Sequence, residues 1–263
     1  SDGVVVAGTT GEAPSLTHEE KLRLFQEVKR ELGDQGAVIA GTGNYNTAES
    51  IDMTKEAQNL GVDGALLTVP YYNKPTQEGL FQHFKAIAES TSLPCIVYNV
   101  PSRTVINMEA ETTIRLSYID NIVGVKEAGG DIGQATRIIA GAASDFLVWS
   151  GNDSDTFPIM REGGYGIISV AGHLVGKQIK HMMELVIAGN IADAEAEHLR
   201  LMDMSNDLFI ISNPMPVKYC VNRAGMKVGN PRLPLLTPDD KTAAHMDSLL
   251  KKYTIDLPVG VVS

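Results

Sequence analysis

The chain has 263 residues, a hydrophobic fraction of 43%, a charged fraction of 21% and a formal net charge of −10. These values are typical of a globular protein, and the length suits one large α/β domain. The negative charge argues against a nucleic-acid partner, and no apolar run approaches the roughly 20 residues that span a bilayer. Cys95 and Cys220 stand alone in apolar surroundings, which predicts two buried thiols in a reducing cytoplasm.

Short apolar runs rich in β-branched residues recur along the first two thirds of the chain and predict strands. They lie at residues 4–7, 37–40, 65–69, 95–98, 122–125, 146–149 and 167–170. Between them lie segments with residues that typically begin and end helices. In the first, Thr17 and Glu20 predict a capping box and Gly33 the end of the helix. In the second, Thr47 is the predicted N-cap and Gly61 the stop.

Apolar strands that alternate with helices predict a parallel sheet, either doubly wound or closed as a (β/α)8 TIM barrel. We count seven strands, and residue 1 falls almost on the first of them, so we expect a barrel whose first strand–helix unit lies upstream of residue 1. Residues 177–188, 191–204, 216–223 and 238–252 predict a C-terminal helical appendage. We therefore expect residues 1–172 to form the barrel without its first unit. Residues 173–263 would form its last helix and the helical C-terminal region.

Polar or reactive residues follow each predicted strand, where a parallel α/β barrel builds its active site. Lys126 directly follows an apolar strand, and an ammonium without a partner in such a setting has a lowered pKa and attacks carbonyls. A lysine that reaches solvent from a strand end fits equally well when taken alone. Tyr98 adds a phenol for proton transfer, and Thr9 and Thr10 suit a carboxylate. Together these groups predict a Schiff base with a keto acid.

Several motifs of other enzyme classes are missing from the sequence. There is no G-x-G-x-x-G after a strand, no G-x-x-x-x-G-K-[ST], and no histidine spacing of the H-E-x-x-H kind. These motifs mark dinucleotide, nucleoside-triphosphate and zinc sites respectively. We therefore expect neither a cofactor nor a metal ion.

Five segments resemble the motif series of the dihydrodipicolinate synthase family, in the family's order and over nearly the whole chain. They are residues 8–12 (GTTGE), 71–75 (YYNKP), 98–103 (YNVPSR), 125–127 (VKE) and 213–218 (NPMPVK). The resemblance implies a TIM-barrel lyase of the cytoplasm. It would condense pyruvate with aspartate semialdehyde to 4-hydroxy-tetrahydrodipicolinate, in lysine (diaminopimelate) biosynthesis.

The resemblance also implies roles for individual residues. Lys126 would form the Schiff base with pyruvate, and Tyr98 would donate and accept protons. Thr9 and Tyr72 would complete the proton relay with Tyr98. The family's counterpart of Tyr72 enters from a neighbouring subunit, which implies a homotetramer built as a dimer of dimers.

Three further residues are implied to bind substrate. Thr10 would hold the pyruvate carboxylate, Ile168 would place its backbone carbonyl near the lysine, and Arg103 would hold the carboxylate of the second substrate. Sister aldolases such as N-acetylneuraminate lyase and the keto-deoxy-sugar aldolases generally lack this arginine, so Arg103 favours the synthase. Val105 and Asn152 depart from the family's usual glycine and aspartate. The alternatives are a sister aldolase, a catalytically inactive binding barrel and a phosphate-binding barrel enzyme.

Overall fold

The computed structural model describes residues 1–257, which form seven strands and eleven α-helices. The strands are β1 (Gly3–Val6), β2 (Ala37–Gly41), β3 (Gly64–Thr68), β4 (Cys95–Asn99), β5 (Ile122–Glu127), β6 (Leu147–Ser150) and β7 (Gly166–Ile167). The helices are α1 (His18–Leu32), α2 (Thr47–Asn59), α3 (Gln77–Ala88), α4 (Pro101–Thr104), α5 (Ala110–Leu116), α6 (Ile132–Gly141), α7 (Thr156–Arg161), α8 (Gly172–Ile187), α9 (Ile191–Asp207), α10 (Met215–Arg223) and α11 (Asp240–Leu250).

The seven strands form one curved sheet in which every neighbouring pair is parallel, in the order β1-β2-β3-β4-β5-β6-β7. All strand C-termini therefore lie at one end of the sheet. The register places Lys126 of β5 beside Tyr98 of β4 and Trp149 of β6. The predicted lysine and tyrosine are thus brought to the same level of the sheet.

The predicted strands are confirmed to within a few residues, except that β7 is short. Val170, predicted as strand, lies beyond it, because the backbone N–H groups of Val170 and Ala171 bond the carboxylate of Asp153. The capping box of Thr17 and Glu20 is confirmed.

The predicted N-cap of the second helix is wrong by one residue. The side chain of Asn46 caps α2, and Thr47 is the first residue of the helix. The hydroxyl of Thr47 instead contacts Nδ1 of His83, 2.9 Å away on α3.

The two largest apolar clusters of residues 1–257 pack the helices against the sheet and against one another. The larger one fills the space between the sheet and the helices that follow its strands, and includes Phe25, Leu80 and Phe84. The second joins the end of β7 to the C-terminal helices, and includes Leu174, Met204 and Leu249. The predicted helical C-terminal region therefore packs as helices against the end of the sheet; residues 258–263 of that region lie outside the described residues.

The two outer strands of the sheet are not paired with each other. Within residues 1–257, β1 pairs only with β2, and β7 only with β6. No helix in the same range is both long and apolar enough to cross a bilayer.

Candidate active site

A cavity of about 1110 Å³ opens at the sheet and reaches the C-terminal ends of the strands. Six of the seven predicted site residues line it: Thr9, Thr10, Tyr98, Arg103, Lys126 and Ile168. They come from β1, β4, β5 and β7 and the loops that follow these strands, so the parallel topology brings together residues up to 159 positions apart. The seventh, Tyr72, is not in this group.

Lys126 is a buried amine at the cavity wall. Its residue exposure is 9%, and burial lowers the pKa of its ammonium from the ordinary 10.5 to about 8, with the charge of Arg103 acting in the same direction. The charge of Asp153 opposes this shift. The Nζ atom lies 4.2 Å from the ring centroid of Tyr98. Near neutral pH, Lys126 therefore has a larger unprotonated fraction than an exposed lysine, and the unprotonated amine is the form that attacks carbonyls.

The glycine that follows β6 makes room for the lysine. A Cβ atom on Gly151 would lie 2.7 Å from Cβ of Ala128 and 3.2 Å from Cε of Lys126. Any larger residue would therefore collide with the neighbouring chain or displace the lysine side chain. Glycine at position 151 therefore leaves the space that the side chain of Lys126 occupies.

Tyr98 supplies the phenol of the site and is 5% exposed. Burial raises the pKa of its hydroxyl, while the charge of Arg103 and a polar contact with Thr9 oppose that rise. The phenol is therefore protonated at neutral pH and available as a proton donor. Its contact with Thr9 extends the polar chain toward the loop after β1.

A second buried charge, the carboxylate of Asp153, stabilises the loop after β7. It accepts hydrogen bonds from the Ser169 hydroxyl and from the backbone N–H groups of Val170 and Ala171, at 3.0 and 3.1 Å. Burial raises the pKa of this carboxyl, and these hydrogen bonds and the charge of Lys126 oppose the rise. Asp153 thus fixes the segment that follows Ile168 and places a negative charge near the amine.

The carboxylate pocket predicted at Thr10 is tied to the C-terminal region. The amide of Asn213 donates to Oγ1 of Thr10 at 2.9 Å, and the guanidinium of Arg103 donates to the backbone carbonyl of Asn213 at 2.9 Å. Asn213 is buried, and its Oδ1 atom has no hydrogen-bond partner among the described residues. It therefore links both predicted carboxylate-binding residues.

An ion pair between the buried Glu12 and the partly buried Lys218 stabilises the loop after β1. Glu12, which adopts a left-handed backbone, pairs with the Lys218 ammonium and accepts the backbone N–H of Arg232 at 2.7 Å. Burial alone would raise the pKa of Glu12, but these contacts with Lys218 and Arg232 hold it below its ordinary value. The loop after β1 is therefore anchored to α10 and to the segment beyond it.

Tyr72 lies away from the cavity of its own chain. Its side chain is 91% exposed, and its backbone has a φ of 74°. A non-glycine residue at positive φ is uncommon and marks a locally constrained turn. This tyrosine thus points away from its own chain and into the surroundings.

The sequence does not single out Asp153 or Asn213 as site residues, although both stand in polar segments that it points to. Asp153 closely follows a strand, which is a usable signal; Asn213 lies between helices, where only the motif of residues 213–218 marks it. Among residues 1–257, no cluster of three or more His, Cys, Asp or Glu side chains is arranged to hold a metal ion.

The parallel sheet and the buried lysine at its C-terminal end define an α/β protein with an amine of lowered pKa in its cavity. A family model described as the dihydrodipicolinate synthetase family matches residues 1–253. The chain belongs to this family, as its motif series predicts.

Relatives with assigned names agree with this membership. A 4-hydroxy-tetrahydrodipicolinate synthase of Dehalococcoides mccartyi is 56% identical over 259 residues, which cover 98% of this chain and 87% of that protein. A protein of the same name from Moorella thermoacetica is 57% identical over 252 residues, covering 96% and 86%.

Solved structures share the fold. A dihydrodipicolinate synthase from Bacillus anthracis superposes with a TM-score of 0.94 at 45% identity, covering 97% of this chain and 87% of that one. The enzyme of Cyanidioschyzon merolae, solved with lysine bound, gives a TM-score of 0.94 at 42% identity, covering 96% and 86%.

Proposed function

We propose that this chain condenses pyruvate with aspartate semialdehyde to 4-hydroxy-tetrahydrodipicolinate through a Schiff base on Lys126. The observation that carries the proposal is the buried amine, whose pKa is lowered to about 8, in a cavity that it shares with Tyr98. The names of the closely similar relatives support the same reaction.

The first half of the reaction attaches pyruvate to the lysine. The unprotonated Nζ of Lys126 attacks the keto carbon of pyruvate, and the carbinolamine then loses its hydroxyl as water to give the protonated imine. Tyr98, with its hydroxyl in polar contact with Thr9, donates the proton that this hydroxyl needs to leave. The Tyr98 phenolate left by that donation then takes a methyl proton from the imine, which yields the nucleophilic enamine and restores the phenol.

Pyruvate needs its carboxylate held while this happens. We assign that role to Thr10, whose hydroxyl is oriented by the amide of Asn213. The backbone carbonyl of Ile168 would face the lysine from the loop after β7. This loop is held by Asp153, so its position does not depend on the substrate.

The second half joins the two substrates. The enamine carbon attacks the aldehyde carbon of aspartate semialdehyde and reforms an imine to Lys126. The α-amine of the semialdehyde then attacks the imine carbon, closes the ring and releases the lysine. Arg103 lines the same cavity as the lysine, and its guanidinium is suited to hold the free carboxylate of the semialdehyde.

Borohydride reduction in the presence of pyruvate tests this function, because it converts the imine to a stable secondary amine. Mass spectrometry should find the pyruvyl adduct on the peptide that contains Lys126, and Lys126→Ala should lose both adduct and turnover. Lys177→Ala, remote in the sequence, is the control and should keep both. An adduct on another lysine, or turnover by Lys126→Ala, would refute the assignment. Turnover with pyruvate and N-acetylmannosamine instead of the semialdehyde would favour a sister lyase.

The assembly belongs to the same proposal. The outward position of Tyr72, 91% exposed, supports a homotetramer, a dimer of dimers, in which this tyrosine completes the site of a neighbour. Complementation tests it: Tyr72→Phe and Lys126→Ala should each be inactive alone, but mixed tetramers should regain part of the activity. Their sites would combine an intact lysine with an intact tyrosine. No recovery in mixed tetramers confirmed by native mass spectrometry would contradict the shared site.

The open edges of β1 and β7 support a closed (β/α)8 barrel as the complete fold. Both edges border the main cavity, where an eighth parallel strand would bond to each of them.

We place the enzyme in the cytoplasm, because both cysteines are buried as free thiols, a state that a reducing compartment preserves.

A further inference from the structure

The residue after the proposed nucleophile is also a buried charge. Side chains alternate between the two faces of a strand, so Glu127 points away from the cavity that Lys126 enters. Its exposure is 2%. A buried carboxylate is costly unless it is fully hydrogen-bonded, and none of the chemical steps above uses it.

The carboxylate of Glu127 is surrounded by donors only. The Nδ2 atom of Asn99 lies 3.0 and 3.1 Å from its two oxygens, Nε2 of Gln134 lies 3.2 Å away, and the backbone nitrogen of Gly129 lies 2.6 Å away. Burial raises the pKa of Glu127, and these contacts oppose the rise. A Cβ atom on Gly129 would lie 2.6 Å from Oε1 of Glu127. The donors around Glu127 therefore suit a charged acceptor. The short distance at Gly129 means that no residue with a side chain fits at position 129.

This charge sets the orientation of the amides around it. Because a carboxylate only accepts, Asn99 must turn Nδ2 toward Glu127, which leaves Oδ1 to accept the backbone N–H of Met108 at 2.9 Å. Nδ2 of Asn99 also reaches Oδ1 of Asn107 at 2.8 Å, and Nδ2 of Asn107 donates to Oε1 of Gln134 at 2.8 Å. Every member thus has one compatible orientation.

The network closes the loop that carries Arg103. Asn99 ends β4 and Asn107 follows α4, so the two amides bracket residues 100–106. Within this loop the β-branched Val105 has a φ of 69°, a conformation that persists only where the surroundings impose it. The hydroxyl of Thr104 adds bonds to the carbonyls of Val100 and Ile106. Arg103 therefore projects from a loop with one end, Asn99, bonded directly to the carboxylate of Glu127. The other end, Asn107, is linked to that carboxylate through Asn99 and Gln134.

We propose that Glu127 is a positioning residue that fixes the Arg103 loop through Asn99 and Asn107, and so sets the affinity for the carboxylate of the second substrate. The inference rests on the proposed function, because it assigns that carboxylate to Arg103. It predicts separate control of the two substrates. Lys126 and the Thr10 pocket govern pyruvate, and the network on the outer face of β5 governs the semialdehyde.

Glu127→Gln tests the inference with almost no change in volume. The new amide would direct N–H groups at Asn99 or Gln134, so Asn99 would have to turn and release Met108. We expect the KM for aspartate semialdehyde to rise about tenfold, within the roughly hundredfold that a misplacement of about 1 Å can cost. The KM for pyruvate and the rate of borohydride trapping should stay within about twofold of the wild-type values.

A matched control and a milder variant complete the experiment. Glu111→Gln changes an exposed glutamate of α5 and should leave both KM values unchanged. If Glu127→Gln does not fold, Asn107→Ala removes the link to Asn99 from an exposed position and should raise the same KM by a smaller factor. Equal changes in the two KM values, or no change in either, would overturn the positioning role. A wild-type enzyme that cannot be trapped with pyruvate would instead refute the proposed function.

Discussion

Two buried ionisable residues lie next to each other at the end of β5, one on each face of the strand. They differ in how completely their charges are hydrogen-bonded. On the inner face, Nζ of Lys126 lies 4.2 Å from the ring centroid of Tyr98, and loss of solvation lowers the pKa of its ammonium. On the outer face, the carboxylate of Glu127 is bonded by Asn99, Gly129 and Gln134. Adjacent positions in one strand thus carry one charge that is poorly solvated and one that is fully hydrogen-bonded.

The difference shows how one strand serves chemistry and rigidity together. A charge without full solvation favours its neutral form, which makes the lysine nucleophilic at a cost in folding free energy. A charge that is fully bonded fixes the groups around it. The inner face therefore supplies reactivity, and the outer face supplies geometry.

The largest expected effect falls on the inner face. Tyr98→Phe removes the phenolic proton and keeps the ring against Lys126, so kcat should fall by about 10²–10⁴, the usual contribution of a positioned acid or base. Steady-state kinetics with both substrates measures the fall. Tyr118→Phe, at a tyrosine that is 68% exposed, is the control. A Tyr98→Phe enzyme with more than about a tenth of wild-type kcat would show that the phenol is not the proton donor.

Next in size is the folding cost of the lysine itself. A pKa of about 8 instead of 10.5 means that the folded protein binds the proton more weakly than the unfolded chain. The full penalty, about 3 kcal/mol, applies below pH 8 and disappears as pH rises toward 10.5, since a tenfold change in proton affinity corresponds to about 1.4 kcal/mol.

Lys126→Met should therefore raise the free energy of unfolding by up to about 3 kcal/mol at pH 7, and by less at each higher pH up to 10.5. Urea unfolding at several pH values measures this trend. Lys177→Met should show no such pH dependence. A Lys126→Met protein that is less stable than wild type at pH 7 would contradict an under-solvated amine.

A smaller effect is expected from the acid that faces the lysine. Because the negative charge of Asp153 favours the protonated amine, Asp153→Asn should lower the pKa of Lys126 further. The rate of borohydride trapping with pyruvate should be half-maximal near pH 8 in wild type, and about one pH unit lower in the variant. Asp52→Asn, on exposed α2 surface, should not move the profile. An unchanged profile in Asp153→Asn would mean that this carboxyl is uncharged in the wild-type protein.

The smallest effect is expected in the Arg103 loop. An L-residue in the left-handed region costs about 1–2 kcal/mol, while glycine loses about 0.5–1 kcal/mol more on folding. Val105→Gly should therefore stabilise the protein by about 0.5 kcal/mol in thermal or urea unfolding. Val105→Ala keeps the Cβ atom and should gain less. A clear loss of stability with glycine would show that the valine side chain contributes packing that outweighs the strain.

Local features of the fold are predictable from the sequence because they depend on near neighbours. The capping box at Thr17 and Glu20 spans four residues and is found where expected. The choice between Asn46 and Thr47 as cap of α2 is different, since both residue types are good caps. In the structure Asn46 is the cap, and the hydroxyl of Thr47 contacts His83, 36 residues away, instead.

The residues of the candidate site also fall into two groups, those that the sequence predicts and those whose roles depend on distant partners. Lys126 and Tyr98 are found from the sequence because each stands at the end of an apolar strand. The roles of Asp153 and Glu127 depend on partners 17 and 28 residues away, Val170 and Asn99. Their polarity is visible in the sequence, but the groups that they bond are decided only when the sheet forms.

The bond between Asn213 and Thr10 spans 203 residues, and the pair of Lys218 and Glu12 spans 206. Contacts with such long chain separation close large loops, and the entropic cost of loop closure makes them slow to form. Under the proposed function, the pocket at Thr10 for the keto-acid carboxylate is complete only once residues 213–218 have packed against it. A growing chain therefore lacks both contacts until synthesis has passed residue 218.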